Sequence, residues 1–216
     1  MMSRTRLLSA IAILAAVTGC AREGELVVNQ GVGITAVLDN CPAVGIPDYT
    51  GDVTLFRNPG DVTAANLDVV ASITNLRHTC DDSSARLYSN ATFDVLARRL
   101  DTRGSRTVTL PYFATVMRGG TAVVSKRLGS VTLSFADGQE RAQASASAGA
   151  FVDGAEASLP ADIQEKITRR RRPGDPDAAL DPLADPEVRA AIQRTSFELL
   201  VGFQLTEEQL AYNATR

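Results

Sequence analysis

The stretch Leu87-Tyr88-Ser89-Asn90-Ala91-Thr92-Phe93-Asp94-Val95-Leu96-Ala97 places Leu87, Ser89, Ala91, Phe93, Val95 and Ala97 on one parity. Successive side chains of an extended chain point to opposite faces, so a period of two predicts a strand with one buried and one wet face. The same period runs outward in both directions. Leu67, Val69, Ala71 and Ile73 share a parity upstream; Val108, Leu110, Tyr112, Ala114 and Val116, and then Val131, Leu133 and Phe135, do so downstream. Turn chemistry separates the runs at Asp101–Gly104, Gly119-Gly120 and Asp137-Gly138, and the last two carry the dipeptide signal of hairpins. Ala142, Ala144, Ala146 and Ala148 continue the alternation with side chains small enough for a close approach of two sheets or for an edge strand.

On either side of this block the pattern changes. Residues 31–65 mix Gly33, Pro42, Gly45, Pro47, Gly51 and Pro59 with short apolar pieces, which reads as an extended lead-in with one strand at Val53–Phe56. After the block, Asp185 is placed to cap a helix with Pro186 at its first position and Glu187 in its first turn. Val188, Ala191 and Ile192 fall on one face of that helix, predicted over 186–195. Phe197, Leu199, Val201, Phe203 and Leu205 then alternate as the most hydrophobic strand, expected to be central. Thr206 and Gln209 form a capping box for a last short helix, with Leu205 and Leu210 at the staple positions. Seven or eight such strands predict a mainly β fold over 66–216, an antiparallel two-sheet sandwich of immunoglobulin or fibronectin-like type with one or two short C-terminal helices. A closed up-and-down barrel is the alternative, which the helix before the last strand suits less.

The amino terminus carries the other strong signal. Arg4 and Arg6 precede an apolar run from Leu7 to Val17, followed by Val17-Thr18-Gly19-Cys20. A short basic segment, an apolar core and small residues before a cut describe a secretory signal, and the run is well short of the ~20 residues that span a bilayer. The tetrad ending in Cys20 resembles the lipobox of bacterial lipoproteins. That resemblance implies removal of residues 1–19, acylation of Cys20 with diacylglycerol, and a lipidated tether over 20–30. Ala21, where lipoproteins kept at the inner membrane often carry aspartate, points by the same resemblance to the outer membrane, facing the periplasm. Attachment would then be through the lipid alone.

Two cysteines remain, Cys41 and Cys80. An even pair exported to an oxidising compartment is most simply a disulfide, closing a loop worth roughly 4 kcal/mol of unfolded-chain entropy. The competing reading is a metal site beside His78, the single histidine. Two thiols and one imidazole lack paired zinc-ligand spacing, so no metal is expected and His78 reads as a surface residue near a strand end. The chain of 216 residues bears a formal net charge of −3, and loss of Arg4 and Arg6 makes the mature protein more acidic. An acidic surface gives no general reason to expect nucleic acid as a partner.

Chemistry is sparse in the sequence. No G-x-S-x-G elbow accompanies His78, the glycines sit in turns rather than before helices, and Asp175, Asp177, Asp181 and Asp185 do not follow the EF-hand spacing. No enzyme and no cofactor are expected. The unusual surface feature is Lys166 followed by Arg169-Arg170-Arg171-Arg172, a cationic run able to hold phosphate or carboxylate through bidentate contacts, or else to pair with the aspartates after it. Together these readings predict a lipid-anchored envelope protein acting as a non-enzymatic periplasmic interaction or assembly module, with another envelope protein as partner. The alternative is a binder or carrier of anionic amphiphilic envelope molecules such as lipid or lipopolysaccharide.

Overall fold

The computed structural model describes residues 33–216, so the signal sequence, Cys20 and the tether lie outside the described residues. Eight strands form two four-stranded sheets. β1 (Ala43–Gly45), β8 (Phe197–Phe203), β5 (Arg106–Arg118) and β6 (Ala122–Phe135) are neighbours in that order in one sheet. β2 (Asp52–Phe56), β3 (Leu67–Asp81), β4 (Arg86–Arg99) and β7 (Arg141–Asp153) follow one another in the second. Every pairing is antiparallel except that of β1 with β8. No ladder joins the two sheets among the described residues, so the arrangement is sandwich-like rather than a closed barrel.

The parities read from the sequence meet inside this sandwich. Val69, Ala71, Phe93 and Val95 from one sheet pack with Leu110, Leu133, Phe135, Leu199, Val201 and Phe203 from the other in one buried cluster. β8 lies between β1 and β5, and is buried on both neighbours' sides as its hydrophobicity predicts. β7, the alanine-rich strand, ends its sheet; Ala148 and Val152 are its most buried residues.

Of the two turns expected to close hairpins, one does. Gly119-Gly120, both with positive φ, joins β5 to β6 within one sheet. Asp137-Gly138 instead carries the chain from β6 to β7 in the other sheet, where β7 pairs β4. The reason is physical: local turn chemistry reverses the chain, but the ladder that the next strand joins is set by long-range pairing. The Asp101–Gly104 turn makes the converse crossing from β4 to β5, and the two crossings lie together, because Gly138 N–H donates to the Thr102 carbonyl and Gly104 N–H to the Asp137 carboxylate.

β3 holds a second departure from simple alternation. Asn75 adopts φ +52°, and the register with β4 slips between Thr74 and Arg77. Beyond this bulge His78 lies opposite Ala91 and Cys80 opposite Ser89, both inward residues of β4. The bulge therefore reverses the parity of β3 and turns Cys80 toward the inner side.

The described residues also form four short α-helices: α1 (Gly154–Ala157), α2 (Ala161–Thr168), α3 (Pro186–Thr195) and α4 (Glu207–Thr215). α3 begins as expected, with the Asp185 side chain accepting from Glu187 N–H and Pro186 in first place. α4 carries the full capping box of Thr206 and Gln209. Ile163 and Ile167 of α2 pack with Val188 and Ala191 of α3 in a small cluster of their own. Residues 35–169 and 181–216 make up one compact unit, while 33–34 and 170–180 belong to another.

Candidate functional site

Cys41 and Cys80 are joined in a disulfide, with Cα atoms 6.2 Å apart. The bridge ties the lead-in to the inward-turned end of β3, two residues before β1 begins. His78 is exposed, as expected, and its Nε2 lies 2.9 Å from the hydroxyl of the fully buried Ser89. No group of three or more His, Cys, Asp or Glu side chains able to hold a metal ion occurs among the described residues. Nor is any described helix long and apolar enough to cross a membrane.

The basic run is divided between the two units. Lys166, in α2, donates to Asp185 at 2.6 Å and lies 3.7 Å from Glu187, so it ties α2 to the N-terminus of α3. The hydrogen bond with Asp185 holds the Lys166 ammonium above its ordinary value, and the same bond holds the Asp185 carboxyl below its own. Arg169 caps α2 through its backbone, donating its N–H to the Glu165 carbonyl. In the other unit Arg171 is 3% exposed; its guanidinium donates to the Asp177 carboxylate at 3.0 Å and to the Ile34 carbonyl at 2.9 Å. Arg172 N–H donates to Asp175, whereas the Arg170 and Arg172 side chains are exposed. Asp175 and Asp177 therefore hold part of the run from within the chain, and Asp185 serves as helix cap and lysine partner.

Two features escaped the sequence reading. The first is Arg99, on the inward parity of β4 and 1% exposed. Its guanidinium donates to the carbonyls of Gln139, Thr102 and Ala136, each at 2.8 Å, and lies 5.2 Å from the Phe135 ring centre. It thus fastens both sheet-crossing turns. Its parity was the available signal: an arginine two residues after Ala97 continues the buried series. Nearby, Arg106 makes a bidentate pair with the nearly buried Asp68, joining the two sheets at the same end. The second feature is Tyr112, which crosses Gly129 to donate its hydroxyl to the Ser147 carbonyl of β7 at 2.9 Å. A Cβ at Gly129 would stand 2.4 Å from the tyrosine ring, so only glycine leaves that path open.

Among the described residues, two surfaces remain uncovered. Ala122–Leu128, the first half of β6, is exposed residue after residue, with Val123 at 63%, Val124 at 54% and Leu128 at 68%. Among the described residues β6 ends its sheet, so this half also presents a backbone edge that no described strand pairs, with Lys126 set over the Phe113 ring and Arg127 next to it in sequence. The other surface is the outer face of β3, β4 and β7, where the register aligns Ser72, Leu96 and Gln143 in one row and Val70, Arg98 and Arg141 in the next. With Leu67 and Leu100 they line an open recess of about 690 Å³. Arg98 is paired with Glu140, and both are substantially exposed.

Neither protein-family models, nor curated proteins, nor solved structures yield a match to this chain.

Proposed function

We propose that this protein is a lipid-anchored component of the bacterial envelope, held by Cys20 at the outer membrane and facing the periplasm, where it acts as a non-enzymatic module that engages another envelope protein. The observation that carries the interaction reading is the edge formed by Ala122–Leu128. Edge strands are normally blunted by short length, charged side chains, proline or bulges, since unpaired N–H and C=O groups invite another strand, and this edge carries two such devices: a register shift that skips Val124, and the charges of Lys126 and Arg127. Even so, the edge keeps Val123, Val124 and Leu128 open to water, and Lys126 and Arg127 give it a positive character that repels a second copy of itself while admitting an acidic strand. A partner supplying an extended segment with acidic side chains suits such an edge: main-chain hydrogen bonds would give affinity and the charges register. The disulfide supports export to an oxidising compartment, because such bridges persist there and are rare in reducing ones.

The test places a photo-crosslinking residue at Val124 or at Leu128 in the full chain and irradiates intact cells. A discrete adduct is expected from both positions, lost when Lys126→Glu and Arg127→Glu are combined, and absent when the probe replaces the exposed Thr132. Equal labelling from all three positions, or none from the edge, overturns the reading. Radiolabelled palmitate checks the anchor, with incorporation expected in the wild type and lost in Cys20→Ser.

A further inference from the structure

The recess on the outer face of β3, β4 and β7 combines an aliphatic floor with a basic rim. Its floor is aliphatic, from Leu67, Val70, Leu96 and Leu100, and Leu96 and Leu100 are each more than two-fifths exposed. Its rim sets Arg98 directly opposite Arg141 across the β4–β7 ladder. Like charges opposite each other in a sheet repel, so this pair weakens the fold slightly unless something anionic lies between them. Glu140 answers Arg98 at its Nε, which leaves the rim with a net positive charge, and Arg141 has no ion-pair partner among the described residues.

From this geometry we infer that the recess is a binding site for a single-chain anionic amphiphile, with its head between Arg98 and Arg141 and its alkyl chain along Leu96, Val70, Leu67 and Leu100. The rim sets the head chemistry, because guanidinium groups carried on two directly opposed residues suit the oxygens of a phosphate or carboxylate. The floor sets the tail chemistry. β3 and β4 are interior strands whose backbone groups are taken by ladders on both sides, so a ligand lying there meets side chains only. A peptide would find no backbone partners on that floor; an alkyl chain needs none. At about 690 Å³ the recess falls within the roughly 300–1,000 Å³ of small-molecule sites. The site is separate from the basic run at Lys166–Arg172 and independent of the β6 edge, so it stands or falls apart from the partner-binding reading.

The experiment uses the full chain with Cys20→Ser, so that no lipid of its own competes, purified without detergent and titrated calorimetrically with dodecyl phosphate below its micelle-forming concentration. One molecule should bind per chain, more tightly than octyl phosphate, while dodecyl maltoside and inorganic phosphate bind far more weakly. Arg98→Gln combined with Arg141→Gln should weaken dodecyl phosphate at least tenfold and change the melting temperature little, since the relieved repulsion offsets the loss of the exposed Arg98–Glu140 pair. A purely structural role for the arginines would instead lower that temperature. Leu96→Asn, at an exposed position, should weaken the ligand and abolish the preference for the longer chain. Arg141→Gln alone disturbs no ion pair and serves as the second charge variant, with a smaller loss expected. Absence of binding, binding unchanged in both arginine variants, or binding to phosphatidylglycerol vesicles without binding to the monomer each overturns the assignment.

Discussion

At the scale of single residues, Arg99 explains how two neighbouring chain crossings can share one end of the sandwich. Each crossing aims carbonyl groups at the buried Arg99 guanidinium, and leaving a buried polar group without its partner costs about 1–3 kcal/mol. One planar guanidinium satisfies three of them, at Thr102, Ala136 and Gln139. Arg99→Met fills similar space but supplies no donor. We expect it to lower stability by roughly 3 kcal/mol or more, since hydrogen bonds to charged groups are each worth about 1.5–3 kcal/mol, and chemical denaturation would measure the loss. Arg99→Lys should recover little, because an ammonium lacks the rigid fork that reaches acceptors on two turns at once. A loss below about 1 kcal/mol for Arg99→Met would show that the turns hold by their mutual hydrogen bonds through Gly104 and Gly138.

At the scale of elements, the lead-in acquires its place from the disulfide and from β1. Three residues pairing with β8 make a weak strand by themselves, but Cys41 holds the chain two residues upstream. Closing a loop with a separation of 39 residues removes about 4 kcal/mol of unfolded-chain entropy. The combined Cys41→Ser and Cys80→Ser variant should therefore lose stability of that order and melt several degrees lower. Amide exchange should show Ala43–Gly45 losing protection before β3 and β4 do. Equal protection in variant and wild type would assign the placement of β1 to its pairing with β8 alone.

At the scale of the whole molecule, the C-terminal helix closes the unit that the lead-in opens. The buried Asn213 amide donates to the carbonyls of Tyr49 and Asp52, both at 2.8 Å, and Tyr212 meets Phe56 of β2 edge-on at 5.3 Å. Arg216 pairs with Asp52 beside them. Residues more than 160 positions apart thus complete one another's hydrogen bonds. Asn213→Ala should cost about 1–3 kcal/mol by leaving two carbonyls unpaired. Removing residues 206–216 should cost more and expose β2 to exchange. A thermal midpoint unchanged by the truncation would mean that β2 is held by β3 alone.

What the sequence determined by itself was whatever depends on neighbours along the chain. Period-two runs such as Leu87–Ala97 and Phe197–Leu205 fixed strand character and the buried face, because burial follows side-chain parity. Asp185-Pro186 and Thr206 with Gln209 fixed two helix starts, because caps are satisfied within one turn. The Cys41–Cys80 bridge was legible because few cysteines leave few choices. Tertiary structure alone decided the rest. The dipeptide Asp137-Gly138 reverses the chain in the same way whether the next strand stays in its sheet or crosses, and only the pairing of β7 with β4 selects the crossing. The bulge at Asn75 reverses the parity of β3; an asparagine tolerates positive φ, but its presence in the sequence does not say that the residues after it change face. The arginines divide likewise: Arg169–Arg172 stand out in sequence because they are adjacent, yet Arg171 is spent on Asp177 and Ile34. Arg98 and Arg141 are 43 positions apart and unremarkable until the β4–β7 register sets them face to face. Contacts between distant residues follow from strand register, and register is settled by the packing of the whole sandwich rather than by any local run of residues.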